Sequence, residues 1–444
     1  MELDMTQGSP GKLILRFTLP IIIGNVFQQL YNMVDAIIVG RFVGNHALAA
    51  VGATGTIMFL ILGFMQGLTT GFTVLTSQRF GAGDESGLKR SVGNAAILSV
   101  IVTVLATVIS LVGMKGLLRL MQTPEDIFEM SYTYISIICF GMWANILYNL
   151  LASLLRAVGN SKVPLYFLIV SAGLNVVLDL VLILVFQMKV AGAAWATVIA
   201  QGVSGILCLI YIAKRVPILH PRKEEWRLHE MDSRNQIRIG VPMALQFSIT
   251  AIGTIIIQTA LNLLGSTAVA AYTAAVKLEQ LITQPFSSMG QTMATYCGQN
   301  MGKRDLGRMK KGVHTAELFT VVYAIVGALF IIYMVPFGVR LFVSEEIELI
   351  TSYVSIYMKI CGTFFIPLGL IFVYRNAMQG AGFGFMPMMG GVVELAARAV
   401  AAWVAVQMGS FTGICLGNVA AWVAAAVFLF IAYWWSLGRK KEFV

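Results

Sequence analysis

Apolar runs of about 20 residues or more follow one another along almost the whole chain. Each is long enough to cross a hydrocarbon layer about 30 Å thick at about 1.5 Å per residue. Only structures that satisfy their own backbone hydrogen bonds survive in lipid, which leaves spanning helices or a closed barrel. Barrel strands alternate apolar and polar residues over about ten positions, whereas these runs are continuous and end in short clusters of Gly, Pro and charge. They predict an all-α integral membrane protein. With 58% hydrophobic and 12% charged residues among 444, the chain holds more apolar surface than a soluble core of its size would bury.

About twelve runs are distinguishable: 14–40, 47–77, 92–114, 131–157, 163–186 and 191–213, then 236–263, 268–297, 314–338, 348–378, 385–407 and 411–435. The first is too long for the apolar core of a signal peptide and lacks a cleavage-site pattern, so it is read as a spanning helix.

The net charge of +10 would suit nucleic acid if it formed a patch, but it is spread among alternate loops. Lys12 and Arg16 precede the first run; Arg79, Lys89 and Arg90 join the second and third; Arg156 and Lys162 join the fourth and fifth. Clusters at Lys214–Arg238, Lys303–Lys311 and Arg439–Lys441 continue the series, while the opposite loops carry Arg41, Lys115, Arg119, Lys189 and Arg340. The positive-inside rule then places both termini in the cytoplasm, and a nucleic-acid partner is excluded. Five cysteines stand singly in apolar runs without CxxC spacing or His partners, and read as buried apolar residues.

The two halves of the chain repeat each other. "RFTLP" (16–20) aligns with "RIGVP" (238–242), "GNHALAAVG" (44–52) with "GSTAVAAYT" (265–273), "SQRFGAGD" (77–84) with "GQNMGKRD" (298–305), and "LRAVGNSKVP" (155–164) with "MQGAGFGFMP" (378–387). Six runs per half give both halves the same orientation, so twelve transmembrane helices are expected in two pseudo-symmetric six-helix bundles. The boundaries are a first lobe at 1–213, a linker at 214–235 with an interfacial helix around "EEWRLHEMDSRNQIR", and a second lobe at 236–444.

No GxxxxGK[ST] motif is present, and the four histidines show no catalytic grouping, so neither ATP-driven work nor an enzyme is expected. An ion gradient remains, and it needs an ionisable group inside the membrane. In the first run, Asn25, Gln28 or Gln29, Asn32 and Asp35 recur at helical spacing along one face. Asn175 and Asp179 share a face of the fifth run at a depth close to that of Asp35, and Thr197 of the sixth run reaches a similar depth. Such oxygens suit Na+ or H+, with two carboxylates sharing a proton in a poorly hydrated site. Intramembrane acids are costly and are usually kept for function. In the second half, Glu394 and Arg398 are expected to form an internal ion pair; Lys277 and Glu279 point to different faces, and Lys359 stands on the tenth run.

The stretch "LYNMVDAIIVGRFVG" (30–44), with "GSPGKLILRFTLP", "LLRAVGNSKVP", "AAYTAAVKLEQ" and "YCGQNMGKRDLGRMKKGV", closely resembles the multidrug and toxic compound extrusion (MATE) family over essentially the whole chain. The resemblance implies two six-helix bundles around a cleft, and export of cationic amphipathic drugs in exchange for Na+ or H+, with no cofactor beyond that ion. In the DinF-like branch the ion site pattern matches Asp35, Asn175, Asp179 and Thr197, and Pro20 matches a first-helix proline at which bending has been proposed. NorM-like members carry acids on the seventh and tenth helices, whereas "GVPMALQFSITAIGT" of the seventh run and "GTFFIPLGLIFVYRNAMQG" of the tenth hold none here. Gln28, Asn32, Asn149, Gln246 and Glu279 are the candidate substrate-cleft residues. The implied setting is a monomer in the bacterial cytoplasmic membrane, in contact with lipid and small organic cations. The alternative within the wider superfamily is a flippase for lipid-linked precursors, which would want a strongly basic cleft.

Overall fold

The computed structural model describes residues 3–339 and 347–440. Arg340 and Lys441, two of the charges used for orientation, lie outside them. The helices are α1 (Pro10–Ile38), α2 (Asn45–Gly81), α3 (Glu85–Leu120), α4 (Glu125–Phe140), α5 (Met142–Ala157), α6 (Lys162–Leu180), α7 (Lys189–Arg215), α8 (Glu230–Asn262), α9 (Ser266–Gly302), α10 (Leu306–Val339), α11 (Ile347–Thr363), α12 (Phe365–Gly380), α13 (Phe385–Gln407) and α14 (Phe411–Lys440). Two π-helical turns, Val39–Val43 and Val181–Val185, extend α1 and α6. No strand occurs among the described residues.

Nine of the described helices are long and apolar enough to cross a membrane, or up to eleven spans if each bent pair counts as one. The twelfth expected run is α9, which is helical throughout but carries Lys277, Glu279, Gln280 and Gln284 in its middle. Two runs expected to be continuous are broken instead. The α4–α5 pair bends by 45° and the α11–α12 pair by 51°. Pro367 explains the second break, because its ring has no N–H and clashes with the carbonyl four residues back, at Thr363, where α11 ends. At the first break Gly141 admits the Val198 side chain, which would lie 2.3 Å from a Cβ there.

The expected interfacial helix does not form. Residues 216–229 contain only 3-10 turns at Pro217–Leu219 and Lys223–Glu225, and the latter part of the expected segment is the start of α8. The reason is the set of bonds that begins at His229. Its N–H and the Ser233 hydroxyl donate to Asn94 Oδ1 at 2.8 and 3.0 Å, and Gln236 bonds both Asn94 Nδ2 (2.7 Å) and the Ser91 carbonyl (2.8 Å). Asp232, 1% exposed, receives Arg90 at 2.7 Å and Arg79 at 3.8 Å. Asp232→Ala removes a buried charge-assisted hydrogen bond while its partly exposed arginines can return to water. A loss of about 2 kcal/mol is expected, read as a lowered unfolding temperature of the purified protein.

The chain forms two compact units, 1–4 with 19–247 and 5–18 with 248–444. These differ from the sequence halves at α1 and α8, each of which contributes its first turns to one unit and the remainder to the other. In the first unit α2 crosses α8 at glycines: a Cβ on Gly71 would lie 2.4 Å from Gly240 Cα, and one on Gly67 2.7 Å from Ala244 Cα. In the second unit the Met5 N–H donates to Gln299 Oε1 at 2.8 Å, its carbonyl accepts from Asn300 and Arg308, and the Thr18 and Thr292 hydroxyls bond at 2.7 Å.

The repeat read from sequence is reproduced in the turns. Asp84 caps α3 by accepting from the Gly87 N–H at 2.8 Å, and Asp305 accepts from the Arg308 N–H at 2.8 Å. The residues before these caps, Gly83 and Arg304, both have positive φ, 69° and 61°, so the second half places an arginine where the first uses the residue best suited to that region. Gly159 and Gly382 likewise turn at φ 86° and 90°. All five cysteines are free and buried, as expected.

Candidate functional site

On α6, Asn175 and Asp179 stand one turn apart and point inward, at 2% and 0% exposure. The neighbouring α7 brings Thr197 alongside, with Asn175 Nδ2 3.5 Å from its Oγ1. The first helix arrives through its π-turn: Val39–Val43 packs on Val181–Val185, and both pack on α7. A π-turn widens the helix by a residue and redirects the side chains beside it, a device common at functional sites. Here the two turns meet just beyond Asp35 and Asp179. The two carboxyl groups come within hydrogen-bonding reach of each other.

Asp35 Oδ1, Asn175 Oδ1 and both oxygens of Asp179 are enclosed and accept no hydrogen bond from the described residues. No lysine or arginine forms an ion pair with either carboxyl group among the described residues. Around them Ile38, Val39, Ile183, Val190, Ala194 and Val198 make an apolar wall. Buried polar oxygens are ordinarily satisfied. A cluster of acceptors lacking donors is complementary to a cation, either a proton shared between the carboxylates or a hard monovalent ion. No group of three or more His, Cys, Asp or Glu suited to a resident metal occurs among the described residues.

Sequence reasoning missed three neighbours. Tyr31, on the Asp35 face of α1, adjoins Gln28 and Gln201, and buried Tyr134 of α4 lies close to Asp35, Tyr31 and Asp179. Tyr31 was legible from its spacing of four from Asp35. Nothing in the order of residues tied Tyr134 or Gln201 to the site.

The remaining candidates are dispersed. Gln28 and Asn32 are exposed on α1, Asn149 bonds to Asn145 of its own helix at 3.0 Å, and Gln246 lies on α8, all in the first unit. Glu279 belongs to the second unit. Pro20 is buried inside α1, which continues through it, one residue past the point where the helix passes from one unit to the other. The expected Glu394–Arg398 pair forms at 2.9 Å, and Arg375 of α12, overlooked in the sequence, binds the second Glu394 oxygen at 3.2 Å.

The MatE family model matches the chain twice, over residues 20–181 and 242–404, so that each match begins at one of the two prolines the internal repeat superimposes. The chain belongs to the MatE family. This MatE protein is 30% identical to the probable multidrug resistance protein YpnP of Bacillus subtilis, covering 85% of the chain and 84% of that relative. It is 27% identical to the probable multidrug resistance protein YoeA of the same organism, over 96% and 94%. Its fold is that of a multidrug resistance MATE family transporter solved in an outward-facing conformation, with a TM-score of 0.93 at 23% identity over 98% of each chain. It is therefore a multi-pass membrane transporter of the MATE multidrug efflux family.

Proposed function

We propose that this MatE protein is a cation-coupled antiporter of the bacterial cytoplasmic membrane, exporting organic cations as Na+ or H+ enters through Asp35, Asn175, Asp179 and Thr197. The observation that carries this reading is the set of enclosed, unpartnered oxygens on α1 and α6, with Thr197 of α7 beside them. Ion occupancy changes the net charge and hydrogen bonding of that site. A transported ion drives alternating access only if it binds the two access states with different affinity. Pro20, inside α1, is the place for that difference to act. Both termini face the cytoplasm, as the loop charges require. The relatives named as multidrug resistance proteins support drugs as cargo.

The test is efflux of ethidium from liposomes containing the purified protein, under an imposed pH gradient or an imposed Na+ gradient. One of the two gradients is expected to accelerate efflux over empty liposomes, and that gradient identifies the ion. Equal efflux with and without either gradient overturns antiport. Movement of a lipid-linked precursor in its place supports the flippase reading.

A further inference from the structure

We propose that Glu279 is a second exchangeable proton-binding group, located in the second unit and separate from the Asp35–Asp179 site. Two acids in the interior of that unit, Glu394 and Glu279, are partnered differently. Glu394 is saturated, with Arg398 on one oxygen and Arg375 on the other at 2.9 and 3.2 Å. Glu279 has no such partner. Its one hydrogen bond among the described residues comes from the hydroxyl of Tyr357, a neutral donor that is itself 1% exposed.

An intramembrane carboxylate is costly without a paired charge, and a buried acid that lacks one neutralises by taking a proton. Arg398 lies close enough for its charge to act on Glu279 but is committed to Glu394. From α11 the groups near Glu279 are Tyr357 and Cys361, and from α9 itself Tyr272; on α14, Cys415 lies against Cys361 and Asn418 bonds Tyr272. On α12 Arg375 is held by Glu394, and on α10 Glu317 pairs with His314 at 3.2 Å. Lys277 is two residues away on α9 and so on a different face, and Lys359 is on the exposed side of α11.

The ligand is a proton rather than a metal ion. A hard cation gathers a shell of several oxygens, whereas one carboxylate and one phenol converge here. The phenols are also held in place, which keeps the carboxyl group positioned as its charge changes. Tyr272 meets Tyr357 edge to face with ring centroids 5.3 Å apart, and the Tyr272 hydroxyl accepts from Asn418 Nδ2 at 3.1 Å.

The test is infrared difference spectroscopy of the full-length protein in liposomes, stepped between mildly acid and mildly alkaline buffer, with 13C-labelled glutamate separating Glu from Asp carbonyl bands. The expected result is a label-sensitive protonated-carboxyl band that exchanges with pH, is lost in Glu279→Gln and persists in the Asp35→Asn/Asp179→Asn double variant. An unchanged label-sensitive band in Glu279→Gln, or no such band in the wild type, overturns the proposal. Should Glu279→Gln fail to fold, Tyr357→Phe removes only the donor to this carboxyl. It must shift the pH midpoint of the band, and an unshifted midpoint overturns the proposal equally. Because the Asp35–Asp179 site reports through unlabelled aspartate and through transport, its failure leaves this result intact.

Discussion

Asp179→Asn brings gradient-driven efflux down to the level of empty liposomes, and Asp35→Asn does the same. Each substitution keeps side-chain volume and removes one negative charge from a cluster of acceptors. It also adds an amide donor where Asp35 Oδ1 or the Asp179 oxygens now stand unpartnered. A cation then meets fewer oxygens and less charge, and a proton has no carboxylate pair to share. Because the two acids act on one ion, the double variant loses no more than either single one, which is strong non-additivity. Stability moves the other way. Replacing a buried, unpaired charge by a neutral isostere is neutral or stabilising, so the variants should melt at or above the wild-type temperature. Transport lost with the fold retained supports the coupling role. Gradient-driven efflux persisting in either folded variant makes these carboxyl groups structural.

Gly71→Val is expected to prevent recovery of folded protein. The clash is with backbone: a Cβ at residue 71 lies 2.4 Å from Gly240 Cα, 2.8 Å from Gly240 N and 3.2 Å from the Ile239 carbonyl carbon. No side chain can rotate away, so α2 and α8 must separate and open the packing on both sides of the crossing. Overpacking a core costs about 1–3 kcal/mol when side chains can adjust, and here the cost is about 3 kcal/mol or more. Gly52→Ala on the same helix is the control, because nothing lies within 4 Å of a Cβ there. The first variant should aggregate on size-exclusion chromatography and the second should elute as wild type. A monodisperse Gly71→Val protein with the wild-type melting temperature would show that this close approach is not required.

Much of this was legible because lipid leaves a chain few choices. A run of apolar residues has to be helical, and an acid within one has to face inward, which is how Asp35, Asp179, Asn175 and Thr197 were assembled from depth alone. The structure brings those four together. What escaped the sequence depended on partners distant along the chain. Tyr134 reaches the carboxyl pair from a helix whose residue order gives no sign of it. Arg375 was overlooked although it stands within a run, and its sharing of Glu394 with Arg398 is a three-dimensional fact. The π-turns leave no signature in composition, yet the two pack on each other just beyond the carboxyl pair. The start of α8 read as a separate surface helix because its polar residues resemble a solvated connector, whereas they are fastened to Asn94, Ser91 and Arg90.

The hydrogen bond from Met5 to Gln299 spans 294 residues, and that separation bears on how the protein is made. A ribosome adding about 5–20 residues per second needs roughly 15–60 s to produce the second partner after the first. For that interval the leading segment, 5–18, has left the ribosome while the unit it belongs to, completed by 248–444, does not exist. Residues 5–18 are thus among the last parts to find their place. A nascent chain arrested after α7 would present that segment to proteases and to the insertion machinery with its permanent neighbours still unsynthesised.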